Sequence, residues 1–192
     1  AAVAALVGGQ YIYAHEYLII RVGRGAGEGV RGRGELVHRR AAHGSRGRHL
    51  LTRGAPIDLL FYGSLRPPQQ EVAETTVTHL NTYGGGLLQL RCGFGKTIIA
   101  LYLFARLKVK TLVLVHKEFL MNQWKERIAQ FLPDARVGTL QAKTVDVEDR
   151  DIVIGMLQSV STGKYPKDVY EPFGMCCFDE CHRIIGPVRL RQ

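Results

Sequence analysis

The residues best suited to chemistry in this sequence lie in the segment RCGFGKT, from Arg91 to Thr97. One apolar run, Gly86 to Leu90, precedes the segment, and another, Ile98 to Phe104, follows it. This order predicts a strand, a glycine loop and a helix. Gly93 and Gly95 lack a Cβ atom, so the backbone can turn tightly there and point its N–H groups at phosphate oxygens.

The same segment predicts a P-loop that binds a nucleoside triphosphate with Mg²⁺. The first helical turn has unpaired N–H donors and a positive dipole end, which suit a polyanion. Lys96 would reach the β- and γ-phosphates, and the Thr97 hydroxyl would ligate Mg²⁺. The usual pattern has a glycine where this chain has Leu90, so a glycine turn before a core helix is the alternative. The expected ATP-binding residues of the loop are Cys92, Gly93, Phe94, Gly95, Lys96 and Thr97.

A second group of reactive side chains is the segment FDECH, from Phe178 to His182, which ends the last apolar run. Two adjacent carboxylates after such a strand are typical of a Walker B site. Asp179 would hold Mg²⁺, and Glu180 would orient and deprotonate the attacking water. A solvated strand end is the alternative for an isolated Asp-Glu pair, but two matching halves of one Mg-nucleotide site favour the catalytic interpretation.

The elements that must position these residues alternate from Ala55 onward. Continuous apolar runs predict buried strands, and apolar residues at helical spacing predict amphipathic helices. The pattern predicts an α/β fold with a mostly parallel sheet flanked by helices. The predicted strands are Gly86–Leu90, Thr111–Val115, Arg136–Leu140, Asp151–Met156 and Gly174–Phe178. The predicted helix faces are Val72, Thr76 and Leu80 in one helix, and Leu120, Trp124, Ile128 and Phe131 in another that Pro133 ends.

Charge is unevenly distributed along the chain. The net charge is +9, of which residues 1–53 carry +6 and the remainder +3. The Arg/Gly-rich tract from Arg21 to Arg53 predicts a disordered segment that could bind phosphate backbones, or else a translated non-coding stretch. The β-prone run Tyr11 to Val22 precedes it. We therefore divide the chain into a basic region, 1–54, and a globular domain, 55–192.

The cysteines, the hydropathy and the remaining charged residues favour ordinary structural roles. The four cysteines lack the C-x₂-C spacing of a zinc site, so we expect reduced thiols and no zinc. No segment resembles a secretory signal or a membrane span, so we expect an intracellular protein, in the nucleus or a viral factory. Lys108 and Lys110 are expected to be solvated near a helix end, and Asp146 to Asp151 to form a solvated loop rather than a second metal site.

The two motifs together resemble the first RecA-like lobe of a superfamily 2 helicase, the DExD/H-box group, and in particular XPB-like helicases such as those of large DNA viruses. The resemblance extends from Leu65 to His182. LRPPQQ resembles the LRPYQ element before the P-loop, LVLVHKEFLMNQW resembles motif Ia, and VIGMLQSV resembles a later strand and loop often written TYQSL.

This resemblance implies ATP and Mg²⁺ as cofactors and ATP-driven movement on nucleic acid, with DNA favoured over RNA. It implies that Gln69 contacts the adenine and that His182 couples the nucleotide site to the next motif. It also implies nucleic-acid contacts for His116 and Lys117, with a loop histidine facing water as the alternative for His116.

The sequence after His182 contains no Ser-Ala-Thr motif, no second RecA-like lobe and no arginine motif. The partner that the resemblance implies is that second lobe, so we expect this chain to be a truncated lobe that alone hydrolyses ATP slowly. Another P-loop ATPase, such as a kinase or a signalling ATPase, is one alternative. A non-catalytic fragment that binds nucleotide or nucleic acid is the other.

Overall fold

The computed structural model describes residues 54–83, 85–90, 93–163 and 165–179, and the backbone of five strands within residues 3–37. Those five strands are β1 (Val3–Val7), β2 (Gln10–Ala14), β3 (Tyr17–Val22), β4 (Glu28–Arg31) and β5 (Glu35–Val37). The strands that follow are β6 (Gly85–Gln89), β7 (Thr111–Val115), β8 (Val137–Gln141), β9 (Thr144–Val145), β10 (Ile152–Met156) and β11 (Met175–Phe178). The helices are α1 (Pro67–Tyr83), α2 (Lys96–Leu107), α3 (Glu118–Phe131) and α4 (Leu157–Ser161), with a 3-10 turn at Lys167–Tyr170.

Most of the described strands form one sheet, in the order β5-β4-β6-β3-β11-β7-β10-β8-β9. The neighbours β11, β7, β10 and β8 are parallel. Strand β3 lies antiparallel between β6 and β11, so β6 points in the same direction as those four strands. The predicted α/β fold with a mostly parallel sheet is confirmed by these five co-directional strands, and their carboxyl ends share one sheet edge.

Both faces of the sheet are covered, which explains why its central strands are apolar throughout. All five residues of β7 are buried. Val113 and Val115 belong to one core cluster together with Trp124 of α3. Leu112 and Leu114, which alternate with them, belong to a second cluster on the opposite face. The first cluster also contains buried residues of α1 and α2, and the second contains Val160 of α4 together with side chains around the 3-10 turn.

The amphipathic helices present the predicted faces. In α1, Val72, Thr76 and Leu80 are buried, and the Thr76 hydroxyl donates to the carbonyl of Val72 at 2.7 Å. Helix α2 is buried on several sides, as its nearly uniform apolar sequence predicts. In α3, Leu120, Trp124 and Ile128 are buried and Phe131 is half-buried. The helix ends at Phe131, two residues before Pro133.

The expectation of a solvated Lys110 is wrong, and that of a solvated acidic loop holds for Glu148 and Asp149 but not for Asp151. Lys110 is buried, because its ammonium group donates to the carbonyl of Val147 at 2.6 Å and lies 5.6 Å from the ring centre of Phe173. Asp151 is also buried rather than solvated, because Arg136 neutralises its carboxylate. Lys108 is exposed, as expected. It adopts a left-handed conformation at the end of α2, with φ of 53°, and its ammonium lies 2.7 Å from a carboxylate oxygen of Asp58.

The predicted disorder of the basic region stays a prediction. The β-prone run Tyr11 to Val22 includes most of β2 and all of β3, and two further strands are described up to Val37. Residues 38–53 lie outside the described part of the chain.

Candidate nucleotide site

The start of α1 places Gln69 beside the glycine loop. Pro67 and Pro68 occupy the first two helical positions, where missing N–H groups cost little. Gln69 is the third helical residue, and its Oε1 accepts a hydrogen bond from the backbone N–H of Arg66 at 2.9 Å. This bond forms half of a capping box and fixes the Gln69 side chain at the helix entry.

From this position Gln69 contacts the glycine loop directly. Its Nε2 donates to the carbonyl oxygen of Phe94 at 2.7 Å, and the guanidinium of Arg66 donates to the same oxygen at 2.9 Å. Gly93 and Gly95 have φ angles of +75° and +97°, which side chains other than glycine rarely adopt. The two glycines thus make the sharp turn that the sequence predicted, and α1 supports it.

The amino end of α2 has the properties expected of a phosphate site. Gly95 precedes the first helical residue and has no side chain that could accept a hydrogen bond. The N–H groups of the first turn of α2 are therefore not capped by Gly95. The ammonium of Lys96 reaches back to the carbonyl oxygen of Leu90 at 3.3 Å, and Thr97 lies half-buried in the same turn. Oriented N–H donors, an ammonium and a hydroxyl form a donor set that fits a triphosphate with its metal ion.

Asp179 follows β11 at the sheet edge toward which β6 also points. Its backbone N–H donates to the carbonyl of Leu114 at 3.1 Å, and its Oδ2 accepts a hydrogen bond from the indole Nε1 of Trp124 at 2.7 Å. With β3 between them, β6 and β11 are about 10 Å apart at the usual strand spacing. A carboxylate at the sheet edge where the glycine loop also begins suits a hard cation such as Mg²⁺.

Three of the predicted site residues, Cys92, Glu180 and His182, lie outside the described residues. Their roles as loop residue, general base and coupling residue stay predictions. Within the described part of the chain, no three His, Cys, Asp or Glu side chains group as a metal site, and no helix is long and apolar enough to cross a bilayer.

Two further predicted residues, His116 and Lys117, lie in the loop after β7, beside α4, which follows β10 directly. The side chain of Gln158 in α4 donates from Nε2 to the carbonyl oxygen of His116 at 2.7 Å and joins the loop after β7 to α4. Lys117 is exposed, and its ammonium lies 5.6 Å from the ring centre of Phe119, which is 54% exposed. We call His116, Lys117, Phe119 and Gln158 the loop pair.

Sequence reasoning missed three of these contacts. Arg66 precedes the two prolines and was not predicted as a site residue, although it lies three residues before Gln69, the residue predicted to contact the adenine. Phe119 follows the predicted lysine closely enough to have been noticed as an exposed aromatic. The bond between Trp124 and Asp179 joins residues 55 positions apart, and no local pattern indicates it.

Comparison with known proteins gives the family. Residues 62–191 match the family described as Type III restriction enzyme, res subunit. A protein of Acanthamoeba polyphaga mimivirus, "Putative ATP-dependent RNA helicase L396", is 36% identical over 127 residues, which cover 66% of this chain and 24% of that protein. "Putative helicase 055L" of Frog virus 3 is 35% identical over 129 residues, which cover 67% and 30%. This chain thus spans about a quarter of the length of the first relative and less than a third of the length of the second.

Among solved structures, the chain is similar to one described as the Sulfolobus solfataricus SWI2/SNF2 ATPase core in complex with dsDNA. The TM-score is 0.45 and the identity 19%, over 57% of this chain and 24% of that one. The family match covers about two thirds of the sequence and includes both the glycine loop and the segment FDECH. The protein therefore belongs to the family of the Type III restriction enzyme res subunit, and its described α/β domain is the ATP-binding lobe of a superfamily 2 helicase, as its motifs predicted.

Proposed function

We propose that this lobe binds MgATP in its glycine loop and, within the complete enzyme, couples ATP hydrolysis to movement on nucleic acid. One observation carries the proposal. The left-handed Gly93 and Gly95 lead directly into the amino end of α2, at the sheet edge where Asp179 emerges from β11. This arrangement supports the proposal, because it puts N–H donors suited to phosphate and a carboxylate suited to a metal ion at one sheet edge.

The proposed roles follow the chemistry of each side chain. The ammonium of Lys96 neutralises the β- and γ-phosphates, and the Thr97 hydroxyl and Asp179 hold Mg²⁺. When bound, Mg²⁺ neutralises charge that develops on the phosphate oxygens. Glu180 orients the attacking water and accepts its proton. His182 links this site to the next motif.

Gln69 is proposed to recognise the adenine while it supports the loop. A primary amide has two N–H donors and an oxygen with two lone pairs. Phe94 and Arg66 use one donor and one lone pair, and the amide keeps one of each for a base edge. The side chain is buried, so its amide plane is fixed before the nucleotide arrives.

The loop pair is the proposed nucleic-acid contact. Lys117 provides an exposed positive charge, and the exposed ring of Phe119 offers a surface on which a base can stack. The bond from Gln158 to His116 holds the loop after β7 against α4. DNA as the preferred strand, a second RecA-like lobe as the partner across the cleft, and a location in the nucleus or a viral factory complete the proposal and rest on the motif resemblance.

The test of nucleotide binding is calorimetry with MgATP on Lys96→Ala. We expect the affinity to fall by at least about tenfold, because a charge-assisted contact contributes on the order of 1.5–3 kcal/mol. Lys143→Ala is the matched control, because Lys143 is an exposed lysine in the turn after β8 and its loss should leave the affinity unchanged. Equal affinity in wild type and Lys96→Ala would contradict the assignment of the phosphate site.

A further inference from the structure

The buried indole of Trp124 contacts both Asp179 and the helix that follows the glycine loop. Trp124 is 1% exposed, and its Nε1 donates to Oδ2 of Asp179 at 2.7 Å. The indole is only a donor, and its acceptor here is a carboxylate, so the bond is charge-assisted and short. Trp124 belongs to α3, whereas Asp179 follows β11, so the bond joins two elements that are distant in sequence.

A face of the same indole ring packs on α2, the helix that begins at the glycine loop. The rings of Phe104 and Trp124 are stacked, with centres 6.1 Å apart and an angle of 16° between their planes. Phe104 lies seven residues after Thr97, and seven residues are nearly two full turns, so both lie on one face of α2 about 10 Å apart. The indole is therefore held by the same helix face that carries the proposed metal-binding hydroxyl.

We propose that Trp124 is a positioning residue for Mg²⁺. Its N–H fixes the rotamer of the Asp179 carboxylate, while the bond from the Asp179 backbone to Leu114 fixes the backbone. A carboxylate held at both points meets the metal ion without first losing rotational freedom. This inference rests on the proposed function, because it assigns a partner to the residue that is proposed to hold Mg²⁺.

Trp124 is the single tryptophan of the chain, so its fluorescence reports on this contact directly. We expect Asp179→Asn, without any nucleotide, to change the emission spectrum of Trp124, because the charged acceptor is lost. In the wild type, MgATP should change the emission more than ATP with EDTA does. In Asp179→Asn, this difference between MgATP and ATP should disappear. An emission spectrum and a Mg²⁺ response that both survive Asp179→Asn would overturn the proposal.

The second experiment is Trp124→Phe, which keeps an aromatic ring against Phe104 and removes the donor. Calorimetry with ATP at saturating Mg²⁺ and in EDTA separates the contribution of the metal from that of the phosphates. We expect affinity in EDTA to be unchanged and the apparent Mg²⁺ affinity to fall roughly 10- to 100-fold, as for other partners of metal-binding carboxylates. Phe104→Leu is the control, because it removes the stacked ring and keeps the donor.

The outcomes distinguish the positioning role of Trp124 from the proposed binding of MgATP. Loss of the Mg²⁺ contribution in Trp124→Phe with its retention in Phe104→Leu supports the positioning role. Equal losses in both variants would mean that packing alone matters, and an unchanged Mg²⁺ contribution in Trp124→Phe would overturn this inference while leaving the proposed function intact. Failure of the wild type to bind MgATP at all would overturn both. If Trp124→Phe does not fold, the fluorescence of Asp179→Asn decides.

Discussion

The two glycines of the loop, Gly93 and Gly95, are needed for different reasons. Gly93 and Gly95 both have positive φ angles, so any other residue is strained at either position. At Gly93 a Cβ atom would meet nothing within 4 Å. At Gly95 it would collide with Nε2 of Gln69, whose amide is already held by Phe94 and Arg66. Gly93 is therefore required only for the turn, whereas Gly95 is required for the turn and also leaves space for the side chain of Gln69.

This difference predicts unequal costs for two alanine substitutions. Gly93→Ala should lower the free energy of unfolding by about 1 kcal/mol through backbone strain alone. Gly95→Ala should lower it by about 2–4 kcal/mol, because the strain is joined by the loss of Gln69 hydrogen bonds. Urea unfolding of the two variants beside the wild type measures both values. Equal losses would show that Gln69 moves aside without cost.

At the scale of elements, the starts of β8 and β10 are joined by one ion pair. The Asp151 carboxylate accepts hydrogen bonds from Arg136, from its backbone N–H at 2.8 Å, its Nε at 3.0 Å and its Nη2 at 2.7 Å. Burial by itself would raise the pKa of Asp151, but the hydrogen bonds and the charge of Arg136 outweigh it and lower that pKa below its usual value. Because the folded state favours the ionised form, this pair stabilises the sheet above the unfolded pKa of about 4.

We therefore expect the free energy of unfolding to fall as the pH drops below about 4, through the lowered pKa of Asp151. In Asp151→Asn the charge is absent at every pH, so the protein should be less stable at pH 7 by about 1–3 kcal/mol and should lose less stability in acid. Denaturant unfolding at a series of pH values tests this, with Asp168→Asn on the exposed 3-10 turn as the control. An acid slope that is the same in the wild type and in Asp151→Asn would contradict it.

Elements and contacts of this fold differ in whether the sequence could predict them. Strand β7 and the buried face of α3 were predicted because burial imposes a local pattern of apolar residues. The positions of Lys96 and Thr97 at the start of α2, and of Asp179 after β11, were predicted because the motifs that contain them have a fixed order around a strand and a helix; their binding roles stay predictions. The insertion of β3, the burial of Lys110 by a carbonyl 37 residues away and the bond between Trp124 and Asp179 depend on tertiary pairing, which leaves no local periodicity.

Across the whole molecule, positive charge and the proposed binding surfaces are distributed unevenly. Residues 1–53 carry a net charge of +6, whereas the remaining 139 residues carry only +3. The loop pair offers a single exposed lysine, Lys117, so phosphate contacts beyond it require another source of charge. Removal of residues 1–53 would also remove β3 from between β6 and β11, so the charge is better tested by substitution than by deletion.

We expect the arginines of residues 38–53 to contribute to nucleic-acid affinity by neutralising phosphates. The test variant replaces five of them by glutamine, at Arg39, Arg40, Arg46, Arg48 and Arg53. Each arginine that contacts a phosphate should contribute about 0.7 to the slope of log affinity against log salt for a single strand, so the variant should bind more weakly and with a shallower slope. Anisotropy with single-stranded DNA and with RNA of the same sequence measures both quantities. Arg127→Gln on the exposed side of α3 controls for a general loss of charge, and a slope equal to that of the wild type on both strands would show that the tract makes no phosphate contacts.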